Sequence, residues 1–380
     1  MKQGWEIKKI GDVILENKKS TLKSKGNEVG DFPFFVSGMK VKSHNKSIID
    51  GQNIFLPTGG NFYVHFYNGK ASYSTDTWCL NTNNNTVIKY LYYYLLLNKD
   101  FINNKHFKGA TIKHLQKNDF KEIEIPLPQL TEQQRIVSVL DRAFSDIEKA
   151  KDTAEQNLKN SKELFESYLQ NIFENKGSDW EKVKLSEVAK VIGGHSFKSG
   201  DFVKQGKYQV LRIGNVRNGV IRTKEKPVFI EKLDDSISKK ALLLVGDVII
   251  TQTGTKNKRD YGFTVIVDKE NYLLNQRIAS IRFNQNYLSE FFLYYSWTNL
   301  FKDQYFANET GTVGQGNVGI TAITDAIIPL TSPAKQEVVI KKINLLSSEI
   351  KKLEVIYEQK LRDLEELKKS IMQKAFNGEL

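Results

Sequence analysis

The chain repeats itself. Trp5-Glu6-Ile7-Lys8-Lys9-Ile10-Gly11-Asp12-Val13 returns as Trp180-Glu181-Lys182-Val183-Lys184-Leu185-Ser186-Glu187-Val188, an offset of 175. Gly51 with Thr58-Gly59 returns as Gly246 with Thr253-Gly254 at 195, and Ile125-Pro126-Leu127 returns as Ile328-Pro329-Leu330 at 203. From there Gln133, Ser167, Gln170 and Phe173 map on Gln336, Ser370, Gln373 and Phe376, still at 203. The second copy therefore gains 28 residues, all before the Ile-Pro-Leu element. A period near 200 residues is far too long for a solenoid repeat, whose units are about 20–50 residues. The chain is a duplicated two-part unit, with a globular part of variable length and a tail of fixed length.

The tails predict long helices. Neither proline nor glycine interrupts 131–176 or 334–377. Thr131-Glu132-Gln133-Gln134 has the form of a capping box, and Ser332-Pro333 places proline at a first helical position, where no amide hydrogen bond is lost. Apolar residues recur at a 3–4 spacing, which predicts a coiled-coil seam. In the second tail the seam includes Ile343, Ile350, Leu353, Tyr357 and Leu364; in the first, Leu140, Ile147, Ala154 and Leu158. A small-residue stripe facing a large-residue stripe packs without voids. The pseudo-symmetry of the repeat predicts that the two tails pair antiparallel. The globular parts alternate short apolar runs with Gly/Asn/Lys-rich loops and predict mixed α/β domains.

Charge points to a partner. The chain of 380 residues carries a net +12. Residues 1–130 hold 18 Lys and 11 Asp/Glu, and 177–333 hold 21 basic and 16 acidic residues. The tails hold 17 of each. The whole excess therefore sits on the globular parts, the pattern of a two-handed binder of a long polyanion. Basic residues gather in polar loops. The candidates in the first part are Lys18, Lys19, Lys23, Lys40, Lys42, Asn45, Lys46, Lys108, Thr111 and Lys113. In the second they are Ser196, Lys198, Arg212, Asn215, Arg217, Thr253, Lys256, Asn257, Lys258 and Arg259. Lys and Arg neutralise phosphates, and Arg, Asn and Gln also pair with base edges. Any one cluster taken alone also reads as a solvated loop. No arginine precedes Arg135. Guanine reading is therefore expected from the second part, through Arg212, Arg217 or Arg259, while the first leans on Lys, Asn, Gln and groove shape.

Catalytic motifs are missing. Gly200 to Gly206-Lys207-Tyr208 has the wrong spacing for a phosphate-binding loop and Tyr where Ser or Thr is needed. Gly314-Gln315-Gly316-Asn317-Val318-Gly319 matches GxGxxG but lacks a flanking strand-turn-helix pattern, and reads instead as a loop whose backbone approaches DNA or a partner. The five histidines are scattered, and Cys79 is the one cysteine, so neither a metal cluster nor an intrachain disulfide is expected. The longest apolar runs are far shorter than a membrane span, and the opening residues do not form a signal peptide. A soluble, intracellular reader of nucleic acid is expected.

Along its full length the chain resembles the specificity subunits of type I restriction-modification systems. Trp5 to Val13 and Trp180 to Val188 match the family's openings, and Gly246-Asp247-Val248-Ile249 with Gly254-Thr255 matches its strand element. Pro126-Leu127-Pro128-Gln129-Leu130-Thr131-Glu132-Gln133-Gln134-Arg135-Ile136 matches the motif at its helix starts, and Gln373 to Leu380 resembles the family's usual ending. Ser332-Pro333-Ala334-Lys335-Gln336 keeps only the glutamine, and Gly51-Gln52-Asn53 lacks the Asp-Val. The resemblance implies an α+β chain in four segments: a target-recognition domain over 1–130, a spacer helix over 131–176, a second recognition domain over 177–333 and a second spacer helix over 334–380. It implies an antiparallel coiled coil that spaces two readers of a split site in double-stranded DNA. It implies two methyltransferase subunits and restriction-translocase subunits as partners, which would carry S-adenosylmethionine, ATP and Mg²⁺. No cofactor, metal or catalytic residue is expected on this chain, and a bacterial or archaeal cytoplasm is its expected location. On the residues alone a bifunctional enzyme and a purely structural coiled-coil adaptor stay open.

Overall fold

The computed structural model describes residues 4–25, 29–175, 177, 179–312 and 314–380. Residues 1–3, 26–28, 176, 178 and 313, which fall inside the expected segments 1–130, 131–176 and 177–333, lie outside the described residues. The chain divides into two compact units, Met1–Gln156 with Tyr357–Leu380, and Asn157–Ile356. Each of the two long helices, Leu130–Glu174 and Pro333–Asn377, contributes one segment to each unit. At 45 residues apiece they are about 67 Å long, at roughly 1.5 Å per residue.

The first unit is built on a four-stranded antiparallel sheet in the order Ile14–Glu16, Thr77–Thr82, Gln52–Pro57, His65–Asn68. A three-stranded sheet lies in the order Lys42–His44, Phe32–Phe35, Ser72–Tyr73, the first pair antiparallel and the second parallel. Glu6–Lys9 pairs with Glu124–Leu127, which delivers the chain to the first long helix. The central strand reads Asn-Ile-Phe-Leu-Pro without polar alternation because both of its faces are covered, and all five residues are buried. The apolar helix Ile88–Leu97 closes one face, and its Tyr90 is wholly buried. Ile136 and Leu140 of the first long helix and Met372, Ala375 and Phe376 of the second join the same core. Lys151 pairs with Glu365 and Lys368 with Glu148, both at 2.9 Å. Partner numbers rise on one helix as they fall on the other, so within this unit the two segments run antiparallel.

The second unit repeats this plan. Its four-stranded sheet runs Ala189–Gly193, Ile278–Phe283, Val248–Thr251, Thr264–Ile266, and its three-stranded sheet Phe229–Ile230, Tyr208–Leu211, Tyr272–Leu274, with the same strand directions. Glu181–Lys184 pairs with Ile327–Leu330. The ladders correct the sequence alignment by one residue. Leu56 faces Trp78, and Ile250 faces Ala279. Since Ile14 faces Thr82 and Ala189 faces Phe283, the central strands correspond at an offset of 194, not 195. Gly51 and Gly246 both have positive φ but sit in turns, which tolerate a slip; the ladder does not, because one step sends every side chain to the other face. At 194, Asn53 stands where Asp247 does, and the Asp-Val departure in the first copy becomes a substitution of Asn for Asp.

The glutamines of the helix starts also prove equivalent. Gln133 and Gln336 are fully buried. Gln133 Oε1 accepts from the Val87 amide at 2.8 Å, and its Nε2 donates to the carbonyls of Pro128 and Asn85 at 2.8 and 3.1 Å. Gln336 makes the same three bonds, to the Leu288 amide and the carbonyls of Thr331 and Asn286, at 2.8, 2.7 and 2.9 Å. Each pins the first turn of a long helix to the loop before a short apolar helix. The expected capping box does not form. Glu132 and Gln133 donate their amides to Gln129 O, so Thr131 already lies inside the helix. At the second helix Ser332 O accepts from Lys335 and Gln336, with Pro333 as the first helical residue, as expected.

Leu140, Ile147, Ala154, Ile343 and Ile350 are buried, and Leu158, Tyr357 and Leu364 are half-buried. Leu353 is 39% exposed, a correction to the expected seam. The covered stripe runs through Ile350, Glu354, Tyr357, Leu361, Leu364, Lys368 and Ile371, an unbroken alternation of four and three. Apolarity had favoured Leu353, but position 354 carries the stripe and tolerates Glu because it is only half covered.

Candidate nucleic-acid interface

The first unit gathers several polar loops at the end of its central strand, Gln52–Pro57. Asp76 is the knot. Its carbonyl accepts from the Thr58 amide and hydroxyl and from the Ser37 hydroxyl, and its carboxylate accepts from Ser24. Thr75 N donates to Leu22 O, Tyr73 OH to Lys18 O and Lys42 Nζ to Ser24 O. Lys18, Lys19, Lys23 and Lys40 lie exposed on the loops so tied, and Lys42 is half-buried. The hairpin Phe107–Lys108 and His114–Leu115 joins the same end through Leu115 N to Thr58 O and Gly60 N to Lys113 O. Lys108, Thr111 and Lys113 are exposed on it. Lys108 pairs with Asp119 at 2.8 Å and holds that carboxyl below the usual carboxylate range. Asn45 and Lys46 are exposed but follow a strand that runs toward Phe32, away from this cluster.

In the second unit the corresponding strand end collects different chemistry. Ser196 and Lys198 are exposed beside His195, which bridges Asn275. Arg212 and Arg217 are half-buried. Arg212 Nη2 donates to Lys226 O at 2.6 Å. Arg217 Nη1 donates to Val216 O at 2.7 Å, and its guanidinium lies 5.3 Å from the Phe263 ring centre. Arg259 pairs with Asp303 at 2.8 Å and lies over Phe306. Lys256 reaches Gly311 O at 2.8 Å, and Asn257 and Lys258 are exposed. Asn215 and Thr253 are buried, which sequence position alone does not reveal. The Asn215 amide donates to the carbonyls of Arg222 and Glu225 and its oxygen accepts from Arg212 N; the Thr253 hydroxyl donates to Asn317 Oδ1. Both shape the loops that carry their neighbours and do not present a free edge. Arg282 is structural too, a bidentate partner of the buried Asp247 at 2.7 and 2.8 Å.

Both strand ends thus present cations and polar side chains on loops anchored to a sheet, the arrangement in which function-bearing loops sit on a rigid support. Among the described residues no cluster of His, Cys, Asp or Glu could hold a metal ion, and no helix is long and apolar enough to cross a membrane.

The family described as type I restriction modification DNA specificity domain matches the chain twice, over residues 2–156 and 177–359. The chain belongs to this family. Specificity subunits are its non-catalytic members within type I restriction-modification systems, and the two matches are its two target-recognition repeats. The chain is 27% identical to the type I restriction enzyme MjaVIII specificity subunit of Methanocaldococcus jannaschii, over all of this chain and 93% of that one. In fold it is similar to a chain solved in a study of complex assembly and conformational transition of the type I restriction-modification system (TM-score 0.78, 17% identity, all of this chain and 99% of that one). It is also similar to the HsdS subunit from Thermoanaerobacter tengcongensis (TM-score 0.58, 18% identity, all of this chain and 98% of that one). DNA-sequence recognition is the task this specificity family implies.

Proposed function

We propose that this specificity subunit reads a split site in double-stranded DNA, each unit recognising one half. The observation that carries the reading is the duplication itself. The same sheets recur strand for strand, each globular part holds a surplus of cations, 18 against 11 and 21 against 16, and several of these cations lie on loops at the same strand end. Lysines there neutralise phosphates, while Arg, Asn and Gln meet base edges in the major groove. The two long helices form an antiparallel coiled coil that sets the distance between readers and offers docking surfaces to two methyltransferase subunits. Restriction-translocase subunits join the full complex in the cytoplasm. This chain contributes no reacting group; S-adenosylmethionine, ATP and Mg²⁺ belong to the partners.

The test is a domain exchange. Replacing residues 1–130 with the same segment of another specificity subunit, then mapping methylated bases across the genome, should change one half-site and leave the other intact. Alteration of both halves would refute split reading. The spacer is tested in the same assay. Four residues inserted after Ala154 and after Tyr357 lengthen both helices by about one turn, roughly 5.4–6 Å. The unread gap should grow by one or two base pairs at about 3.4 Å each, with both half-sites unchanged. An active complex with an unchanged gap would refute the spacer.

A further inference from the structure

Strand pairing makes the two units comparable residue by residue at one loop and one hairpin. In the first unit Gly59 bridges His114, and Lys108 faces His114 across the hairpin. In the second, Thr253 and Gly254 pair with Asn317 and Gly316, Val318 N donates to Gln252 O, and Thr310 bridges Asn317. Both hairpins turn on a glycine of positive φ, Gly109 and Gly311, where a Cβ would sit 2.2 Å from the carbonyl oxygen of Ile112 or Gln315. Lys108 therefore corresponds to Thr310, Lys113 to Gly316 and His114 to Asn317.

Every cationic position of the first hairpin is neutral in the second. The adjoining loop does the opposite. In the first unit residues 58–62, Thr-Gly-Gly-Asn-Phe, carry no charge. In the second the offset rises from 194 to 200 between the central strand and the next one, since Ile54 faces Phe66 and Val248 faces Ile266. The six residues gained include Lys256, Lys258 and Arg259. This insert lies on the hairpin that lacks cations. Lys256 binds Gly311 O, and the Asn257 amide and Tyr261 hydroxyl both donate to the Glu309 carboxylate, at 3.2 and 2.7 Å. Asn257 and Arg259 hold φ of 65° and 50°, a conformation that side-chain-bearing residues keep only where surroundings impose it.

We propose that this loop and hairpin form the site where each unit grips the DNA phosphate backbone, with the cations supplied from opposite sides: from the hairpin in the first unit, by Lys108 and Lys113, and from the inserted loop in the second, by Lys256, Lys258 and Arg259. The inference rests on the reading of the chain as a binder of duplex DNA. Lys108 and Arg259 sit in exposed ion pairs with Asp119 and Asp303, and exposed pairs are weak enough for a phosphate to displace. The exchange keeps positive charge at one place on the fold while changing the side chains beside it, Thr111 in one unit and Asn257 in the other.

The test measures affinity of the purified complex for a duplex carrying its methylation-mapped site, as a function of salt. Each lost phosphate contact flattens the log–log slope by about 0.9. K256Q/K258Q/R259Q should flatten it by about 2.7 and K108Q/K113Q by about 1.8, while K70Q/K269Q, exposed at the opposite end of each four-stranded sheet, leaves it unchanged. Adding T310K to the triple variant should restore about 0.9, because Thr310 occupies the place of Lys108. Melting curves establish that each variant is folded; if the triple variant is not, K108Q/K113Q, which removes only an exposed pair, decides. A steep wild-type slope that neither set alters, or an equal loss from K70Q/K269Q, overturns this inference and leaves DNA reading intact. A wild-type complex without preference for the site over a scrambled duplex overturns the reading itself.

Discussion

Asn53 in the first unit and Asp247 in the second occupy one position at the start of the central strand, yet they are held differently. Asn53 is buried among neutral partners, donating to Gly51 O and accepting from Asn17. Asp247 is equally buried and is met by both arms of Arg282. The position of Arg282 in its strand is that of Asn81 in the first unit, whose amide donates to Gln52 O. One backbone site is filled by a neutral network in one copy and an ion pair in the other. The comparison extends outward. Between the equivalent strands Phe32–Phe35 and Lys42–His44 lie residues 36–41; between Tyr208–Leu211 and Phe229–Ile230 lie 212–228, which carry Arg212, Arg217 and Arg222. Strands and helix anchors are kept, and loops at the strand end diverge in length and charge. Loops tolerate this because their backbone polar groups reach water, whereas a central strand cannot gain a residue without reversing its faces.

The strongest way to break the equivalence is at its most faithful element. Gln133→Leu and Gln336→Leu each leave a buried carbonyl, of Pro128 or Thr331, and a part-buried amide, of Val87 or Leu288, without a partner, and unpaired buried groups cost about 1–3 kcal/mol each. Relaxation and water entry reduce the sum, so each variant should lose about 2–5 kcal/mol in urea unfolding. Similar losses are expected; a large loss from one and none from the other would show that the helix anchors are not equivalent.

The Asn–Asp contrast gives the next largest effect. Arg282→Met leaves the Asp247 carboxylate buried with the Leu244 amide as its remaining hydrogen-bond donor. A loss of about 2–3 kcal/mol is expected, below the range for a fully buried pair because the Arg282 side chain is 37% exposed. Asn81→Ala removes two hydrogen bonds, one to Gln52 O and one from the neighbouring Thr82 amide, and should cost about 1 kcal/mol, less than Arg282→Met. Equal losses by thermal denaturation would mean the ion pair contributes no more than its neutral counterpart.

The smallest effect concerns reading. Lysine in place of Arg212 or Arg217, the two arginines outside the proposed phosphate grip, keeps the charge and loses the planar fork. Where the arginine meets guanine, binding of the complex to single-base variants of the site should fall by about 1–3 kcal/mol at one position. Both substitutions weakening every variant alike would place these arginines on phosphates and remove guanine reading from the contrast between units.

Much of this protein was legible in order along the chain. Repetition of Trp5 to Val13, of Ile-Pro-Leu and of Gln133 determined that one unit occurs twice. The absence of breakers determined the long helices, and the division of charge determined which parts are basic. These are properties of composition and period, which survive without knowledge of contacts. Burial and register were decided by tertiary structure. Asn215 and Thr253 look like surface polar residues in sequence, but the fold turns them inward to satisfy loop backbone. Leu353 yields its place on the covered stripe to Glu354, because position around the helix outranks apolarity there. Thr58-Gly59 resembles Thr253-Gly254, but hydrogen-bonded ladders align Leu56 with Ile250 and shift the match by one. The cationic exchange between hairpin and loop follows from that shift. Residues 108 and 113 are far from the loop at 58–62 in sequence, and only cross-strand pairing, which acts between distant segments, brings the two elements to one site.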